Sequence, residues 1–526
     1  MADEVYEMTR SHSTASRSTD QPSSIYDGPE EEANLLNKED GSDSDNDDDE
    51  EETEEDEAWA IIVDEDTVDG IHDYEKDNPT LRYACIGFAI GLLFIIFRLA
   101  MAKFAHDPNH TERGAEKLYY NGSDYFASTV VLISFDGFRP DYLNRGLTPH
   151  LKQFAESGIS AKYMNPAFPP STFPNHWTLV TGLYPEAHGI VANLFYDPQL
   201  DAVFSHANAT STADPRWWKG EPIWATSRMH RQITASIMWP GSETNYNPPD
   251  MVVKYNGSMT THEKMERTLH WLDLPYDQRP RMITIYCPQI DQEGHKFGPN
   301  SPKLNKYISE GDEAIGFFLK ELERRNLEGH VHTVIVSDHG MTETRDSKLI
   351  YYDDILSPEL LAHVGDREAL PLLDLRPNAK APVDTVSKIY RALQNYTVTE
   401  EEPHFKVYLR EDVPDRFHYR NSTRITPIVA IPEIGYSFVT HAQVEAQQGG
   451  FRLGGNHGYD NLEDDMRAIF MARGPKIDRV YKPGSILGPF FNIEVYNLLT
   501  ELLNMDAAPN NGTLHADFPV IFAPPF

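Results

Sequence analysis

Thr129-Val130-Val131-Leu132-Ile133-Ser134, running on into Phe135-Asp136-Gly137, is a short β-branched run that is apolar on both faces and ends in an acidic turn. Such a run predicts a strand buried on both sides of a parallel sheet. Met282 to Tyr286 and Val331 to Val336 repeat the pattern, and Arg467 to Met471 reads as a further strand. Between them, Leu304 to Arg325 carries Ile315, Phe318, Leu319 and Leu322 at helical spacing, and Thr385 to Leu393 and Asn492 to Leu503 also read as helices. Alternating strands and helices predict an α/β domain from residue 127 to residue 526, with no internal repeat and no obvious second-domain linker.

In such sheets the ligand crevice lies beyond the carboxyl ends of the strands. The residues found there are rich in metal-ligand types. The first strand leads into Asp136-Gly137, the second into Asp291-Gln292-Glu293-Gly294-His295, the third into Ser337-Asp338-His339-Gly340, and a later glycine-rich segment holds His457. Together they supply three aspartates and three histidines, an oxygen and nitrogen set suited to zinc. A candidate nucleophile accompanies them: Thr172, in Pro169-Pro170-Ser171-Thr172-Phe173-Pro174-Asn175-His176, just ahead of the apolar run Trp177 to Val180. Threonine is a weak nucleophile at its free pKa, so this role needs something that withdraws its proton, such as a metal ion.

Charge divides the chain. Residues 1–80 carry 29 acidic and 4 basic side chains, so only −11 of the net −36 belongs to the remainder. The run from Asp43 to Glu57 cannot bury enough apolar surface to offset chain entropy, and a disordered acidic tail is expected over 1–80. That tail argues against binding to a nucleic-acid duplex. With only Cys85 and Cys287, no intramolecular disulfide framework is available.

Residues 81–102 are apolar apart from Arg82 and Arg98 and are expected to cross a bilayer once as a helix, followed by a linker over 103–126. Flanking Lys and Arg would place the following domain in the cytoplasm. The glycosylation sequons oppose this: Asn109, Asn121, Asn208, Asn256, Asn395, Asn421 and Asn511 all follow the apolar segment and none precedes it. The sequons carry more weight because the charge rule tolerates exceptions. The expectation is a single-pass type II protein, with its tail cytosolic and its catalytic domain extracellular or in the secretory or vacuolar lumen.

From about Val130 to the C-terminus the chain resembles the ectonucleotide pyrophosphatase/phosphodiesterase family of the alkaline phosphatase superfamily. The most specific stretch runs from Phe168 to His176, through Leu179-Val180-Thr181-Gly182-Leu183-Tyr184-Pro185-Glu186 and His188-Gly189-Ile190, to Asn193 and Tyr196-Asp197-Pro198. The resemblance implies an alkaline-phosphatase-like sandwich with a central, mostly parallel sheet flanked by helices. It also implies two Zn2+ per chain. Asp136, Thr172, Asp338 and His339 fall on the positions that hold one zinc, and Asp291, His295 and His457 on those that hold the other. Asn193 falls on an amide donor to a phosphoryl oxygen. Phe173 and Tyr255 resemble an aromatic pair that sandwiches a nucleobase, and Trp239 belongs to a stretch lining the same pocket. The chain looks like a minimal, membrane-tethered form of the larger vertebrate members.

The implied reaction is hydrolysis of phosphodiester and pyrophosphate bonds in nucleotides or nucleotide sugars, through a covalent phosphothreonine-type intermediate. A phosphodiesterase acting on choline-bearing or lysophospholipid substrates would keep the same metal set. A phosphomonoesterase would need positive charge at the threonine, and no Arg adjoins Thr172. A catalytically inactive, glycosylated surface binding protein is the reading of another class, and intact ligand positions count against it.

Overall fold

A computed structural model of the chain describes residues 118–369, 371–446 and 453–513. The expected acidic tail, the expected span at 81–102, residues 103–117 and sequon Asn109 lie outside them. Among the described residues no helix is long and apolar enough to cross a membrane.

The β-branched runs form the strands that their sequence predicts. Strands β1 (Thr129–Phe135), β2 (Ile159–Ala161), β3 (Thr234–Ile237), β4 (Met251–Val253), β5 (Met282–Cys287), β6 (Val331–Val336), β7 (Phe470–Arg473) and β8 (Ser485–Leu487) make one sheet, ordered β8-β2-β7-β6-β1-β5-β3-β4. From β6 to β4 every pairing is parallel, with Val130 opposite Met282 on one side and His332 on the other. Strand β7 runs antiparallel between β6 and β2. Every residue of β1, β5 and β6 is buried, because helices cover both faces. The strand expected at Arg467–Met471 is displaced along the chain to Phe470–Arg473, a correction with a local cause: Arg467 lays its guanidinium over the Tyr163 ring and pairs with Asp464.

Three helices carry or support the candidate ligands: α1 (Thr172–Thr181), α2 (Gln289–Phe297) and α3 (Pro302–Arg324). Helix α3 begins at Pro302, behind a Ser301 side chain that accepts from the Lys303 N–H. Its Ile308, Ile315, Phe318 and Leu322 face the main core. The helix expected from Asn492 starts as a 3₁₀ turn and is α-helical over Val495–Leu502. Residues 118–126, expected as the end of the linker, form a two-stranded hairpin, with Phe126 beneath the Arg279 guanidinium.

The described residues belong to one compact unit, yet it holds two apolar cores. The smaller core lies between helix Thr385–Thr399 and an antiparallel sheet of Val364–Ala369, Leu373–Pro377, Ile428–Pro432 and Phe405–Leu409, where Leu373, Leu375, Ile389 and Leu393 meet. Sequence reading did not separate this module.

Candidate active site

The sheet order brings the acidic turns together. Strand β1 has β5 and β6 as its two parallel neighbours, so Asp136, the start of α2 and Asp338-His339 leave the sheet side by side at one end. Helix α2 then presents Asp291 and His295, four residues apart, on one face. Gly137 lets the chain turn between them: its φ is +67°, and a Cβ there would lie 3.1 Å from Asp291. His457 arrives from the far side, after the Gly455–Asn456 strand that pairs with Thr342–Glu343.

Two buried groups result, Asp136 with Asp338 and His339, and Asp291 with His339 and His457, each with its ligand atoms within 4.8 Å of one another. His339 belongs to both, its ring stacked on that of His457 at 3.7 Å. His295 joins the second group, with Nε2 3.4 Å from Asp291 Oδ1 and 3.1 Å from His457 Nε2. Thr172 Oγ1 lies 3.4 Å from His339 Nε2, so the expected nucleophile stands at the first group. All seven residues that resemblance assigns to metal therefore converge.

The residues fit a divalent metal pair. Asp136 Oδ1, Asp291 Oδ1 and Asp338 Oδ2 are buried without a hydrogen-bond partner, and three carboxylates crowded in a low dielectric call for cations. Burial pushes the Asp136 carboxyl well up, and Asp291 and Asp338 add to it. Burial also raises Asp291. Asp338 is held well below the usual range because His339 and His176 outweigh its burial. The histidines are aimed correctly: Nδ1 of His295, His339 and His457 each meets a backbone carbonyl, of Gly455, Gly340 and Pro170, at 2.9 Å. A carbonyl only accepts, so each Nδ1 donates, and in the neutral ring Nε2 then has its lone pair for a metal.

Thr172 is the first residue of α1, 7% exposed, where its own backbone N–H and the helix dipole favour an anion. Asn193 accepts the Phe173 N–H at 2.9 Å through Oδ1, which leaves its Nδ2 hydrogens for another acceptor. A cavity of about 580 Å³ opens over the site, lined by Thr172, Phe173, Asn193, Trp239, Tyr255 and His457 among others. Phe173 is braced by the rings of Phe204, His206 and Trp218. Tyr255 is 47% exposed and accepts from Gln292 at 3.0 Å through its hydroxyl. Trp239 is buried in the cavity wall, and its indole N–H is donated to the His176 carbonyl at 3.1 Å.

Sequence reasoning assigned no role to His176 or Tyr286. Tyr286 donates to Asp136 Oδ2 at 2.5 Å, and His176 Nδ1 lies 3.3 Å from Asp338 Oδ2. A histidine four residues after the nucleophile on one helix was the available signal for the second; a strand tyrosine offered none.

Residues 130–460 match the family described as Type I phosphodiesterase / nucleotide pyrophosphatase. The chain is 41% identical over 76% of its length to a Schizosaccharomyces pombe protein named as an uncharacterized pyrophosphatase/phosphodiesterase, of which it spans 82%. It is 36% identical over 73% of its length to human ectonucleotide pyrophosphatase/phosphodiesterase family member 1, but spans only 41% of that protein. Among solved structures, an inactive variant of murine ectonucleotide pyrophosphatase/phosphodiesterase 5 in complex with AMP superposes with a TM-score of 0.66 at 32% identity, covering 73% of this chain and 97% of that one.

Proposed function

The chain belongs to the type I phosphodiesterase/nucleotide pyrophosphatase family and is a hydrolase, and on that premise we propose that it cleaves nucleotide phosphodiester and pyrophosphate bonds with Thr172 as nucleophile and two zinc ions as cofactors. The observation that carries this reading is the position of Thr172 Oγ1, 3.4 Å from His339 Nε2 and at the N-terminus of a helix, beside two buried groups of metal-ligand type. Asp136, Thr172, Asp338 and His339 would hold one ion and Asp291, His295 and His457 the other. When bound, the pair supplies Lewis acidity that lowers the pKa of a hydroxyl and offsets charge on phosphoryl oxygens.

The chain's own residues then divide the work. Thr172 Oγ attacks phosphorus in line with the leaving oxygen, forming a threonyl phosphodiester, and water cleaves the Thr–O–P bond in a second displacement. The Thr172 backbone N–H at the start of α1 stabilises the equatorial charge, and Asn193 Nδ2 donates to one phosphoryl oxygen. Phe173 and Tyr255, both on the cavity, supply ring faces for a base.

Exposed sequon asparagines at 208, 256, 395, 421 and 511 support an extracellular or lumenal domain. Asn121 is half-buried, with its side-chain amide donated to the Arg325 carbonyl. The full-length chain should hydrolyse ATP to AMP and pyrophosphate far faster than glycerophosphocholine. The opposite order would transfer the reading to choline-bearing diesters.

A further inference from the structure

We infer that His176 is a positioning residue, a single imidazole that ties the carbonyl of the nucleophile to the Asp338 carboxylate and to the strand that leads into Asp136. Its Nδ1 lies 2.9 Å from the Thr172 carbonyl oxygen and 3.3 Å from Asp338 Oδ2. The carbonyl only accepts, so Nδ1 carries the hydrogen and donates it to Thr172, and this N–H edge of the ring also faces Asp338 Oδ2 as an electrostatic contact. Nε2 lies 2.9 Å from Ser134 Oγ, two residues before Asp136 on β1. A serine hydroxyl can donate as well as accept, so this contact completes the ring without disturbing the first.

The surroundings fix the ring's rotation. Tyr286 and Trp239 meet it edge-on, with centroids 4.8 and 5.0 Å away. Tyr286 also holds Asp136, and Trp239 holds the His176 carbonyl. The imidazole is fully buried and is not one of the candidate ligands. A residue that merely fills the core needs none of these polar contacts. Here one edge of the ring bonds the backbone of the nucleophile and lies against a carboxylate of the metal group, so a tilt of α1 that moves Thr172 also shifts the positive edge facing Asp338.

This inference rests on the proposed reading of Thr172, and its test separates the two. Asparagine places an amide N–H near the position of Nδ1, whereas glutamine reaches only the position of Nε2. In the full-length protein, H176N should keep kcat on the nitrophenyl ester of thymidine monophosphate within about threefold of wild type. H176Q should lower it by about 10- to 100-fold with KM changed less than about twofold, the usual scale for loss of a ligand's hydrogen-bond partner. H176Q should also release zinc to a chelator sooner than wild type, and should do so equally in a Thr172→Ala background, where catalysis plays no part. If H176Q proves unstable, Ser134→Ala serves instead: it leaves the imidazole in place, frees one end, and should give a smaller fall in kcat with the same early loss of zinc. Equal kinetics for H176N and H176Q, or unchanged zinc release in H176Q and Ser134→Ala, would overturn the inference. An active Thr172→Ala enzyme would instead overturn the reading of the nucleophile.

Discussion

His295 and His457 face each other through their Nε2 atoms, 3.1 Å apart, while the Nδ1 of each is donated to a backbone carbonyl. So oriented, the two rings bring both Nε2 atoms up to Asp291 Oδ1, 3.4 Å from each. Three donor atoms that converge in this way suit a metal ion. Burial, His339 and His295 all hold the His457 pKa well below its usual value, so a proton is disfavoured there and a metal is the suitable guest. Chelation should therefore abolish activity and lower the melting temperature, and zinc should restore both with about two ions bound per chain. Elemental analysis beside a thermal scan checks this; full activity in zinc-free protein would refute it.

Asn193 offers a cleaner separation of roles than most donors. Asn193→Asp keeps the oxygen that accepts the Phe173 N–H but removes the amide hydrogens. If Nδ2 serves the phosphoryl oxygen, kcat should fall by about 10²- to 10³-fold with the loop intact. Activity close to wild type would reduce Asn193 to a brace for the threonine loop.

Phe173→Ala should raise KM for nucleotides by about 5- to 150-fold, the equivalent of ~1 to 3 kcal/mol for lost stacking on a base. KM for bis-nitrophenyl phosphate, which has no base, should change far less. An equal effect on both substrates would mean that the ring, packed against Phe204 and Trp218, shapes the loop and does not bind the base.

Away from the metals, Asp197 and Arg424 form a buried ion pair at 2.7 Å, the guanidinium also donating to the carbonyls of Gly189, Trp217 and Arg216. Burial alone would push the Asp197 carboxyl up, but Arg424 and the N–H groups of Gln199 and Leu200 outweigh it and hold the pKa below its ordinary value of about 3.9. The folded state therefore favours the ionised form more than the unfolded chain does. The resulting stabilisation is complete above the unfolded value and is lost as pH falls through the lower folded value. Asp197→Asn should cost about 3 to 5 kcal/mol at neutral pH by leaving the guanidinium unpaired. Its melting temperature should also lose the part of the acid slope that wild type shows below about pH 4, with both proteins compared free of metal; parallel slopes would contradict the assignment.

Much of the site was legible because its ligands directly follow β1, β5 and β6, whose two-sided apolar runs mark them as central strands. Strand order was not legible: nothing local in Val331 to Val336 says that it pairs with β1 and accepts β7 antiparallel. The module around Leu373 and Ile389 escaped notice for the same reason, since its core joins segments that look like ordinary members of one α/β chain. Trp239 illustrates a subtler limit. Sequence places an aromatic near the pocket, but only packing shows its N–H committed to the helix that carries Thr172.

The most direct measurement of the central claim is the stereochemical course at phosphorus. The full-length enzyme would be given a thio-substituted nucleotide diester of known configuration, and the product's configuration determined. Attack by Thr172 followed by hydrolysis inverts phosphorus twice, so the account predicts net retention, with Thr172→Ser slowed but still retaining and Thr172→Ala inactive by several orders of magnitude. Net inversion would show a single displacement by water and would contradict the threonine nucleophile, even with both metal sites filled.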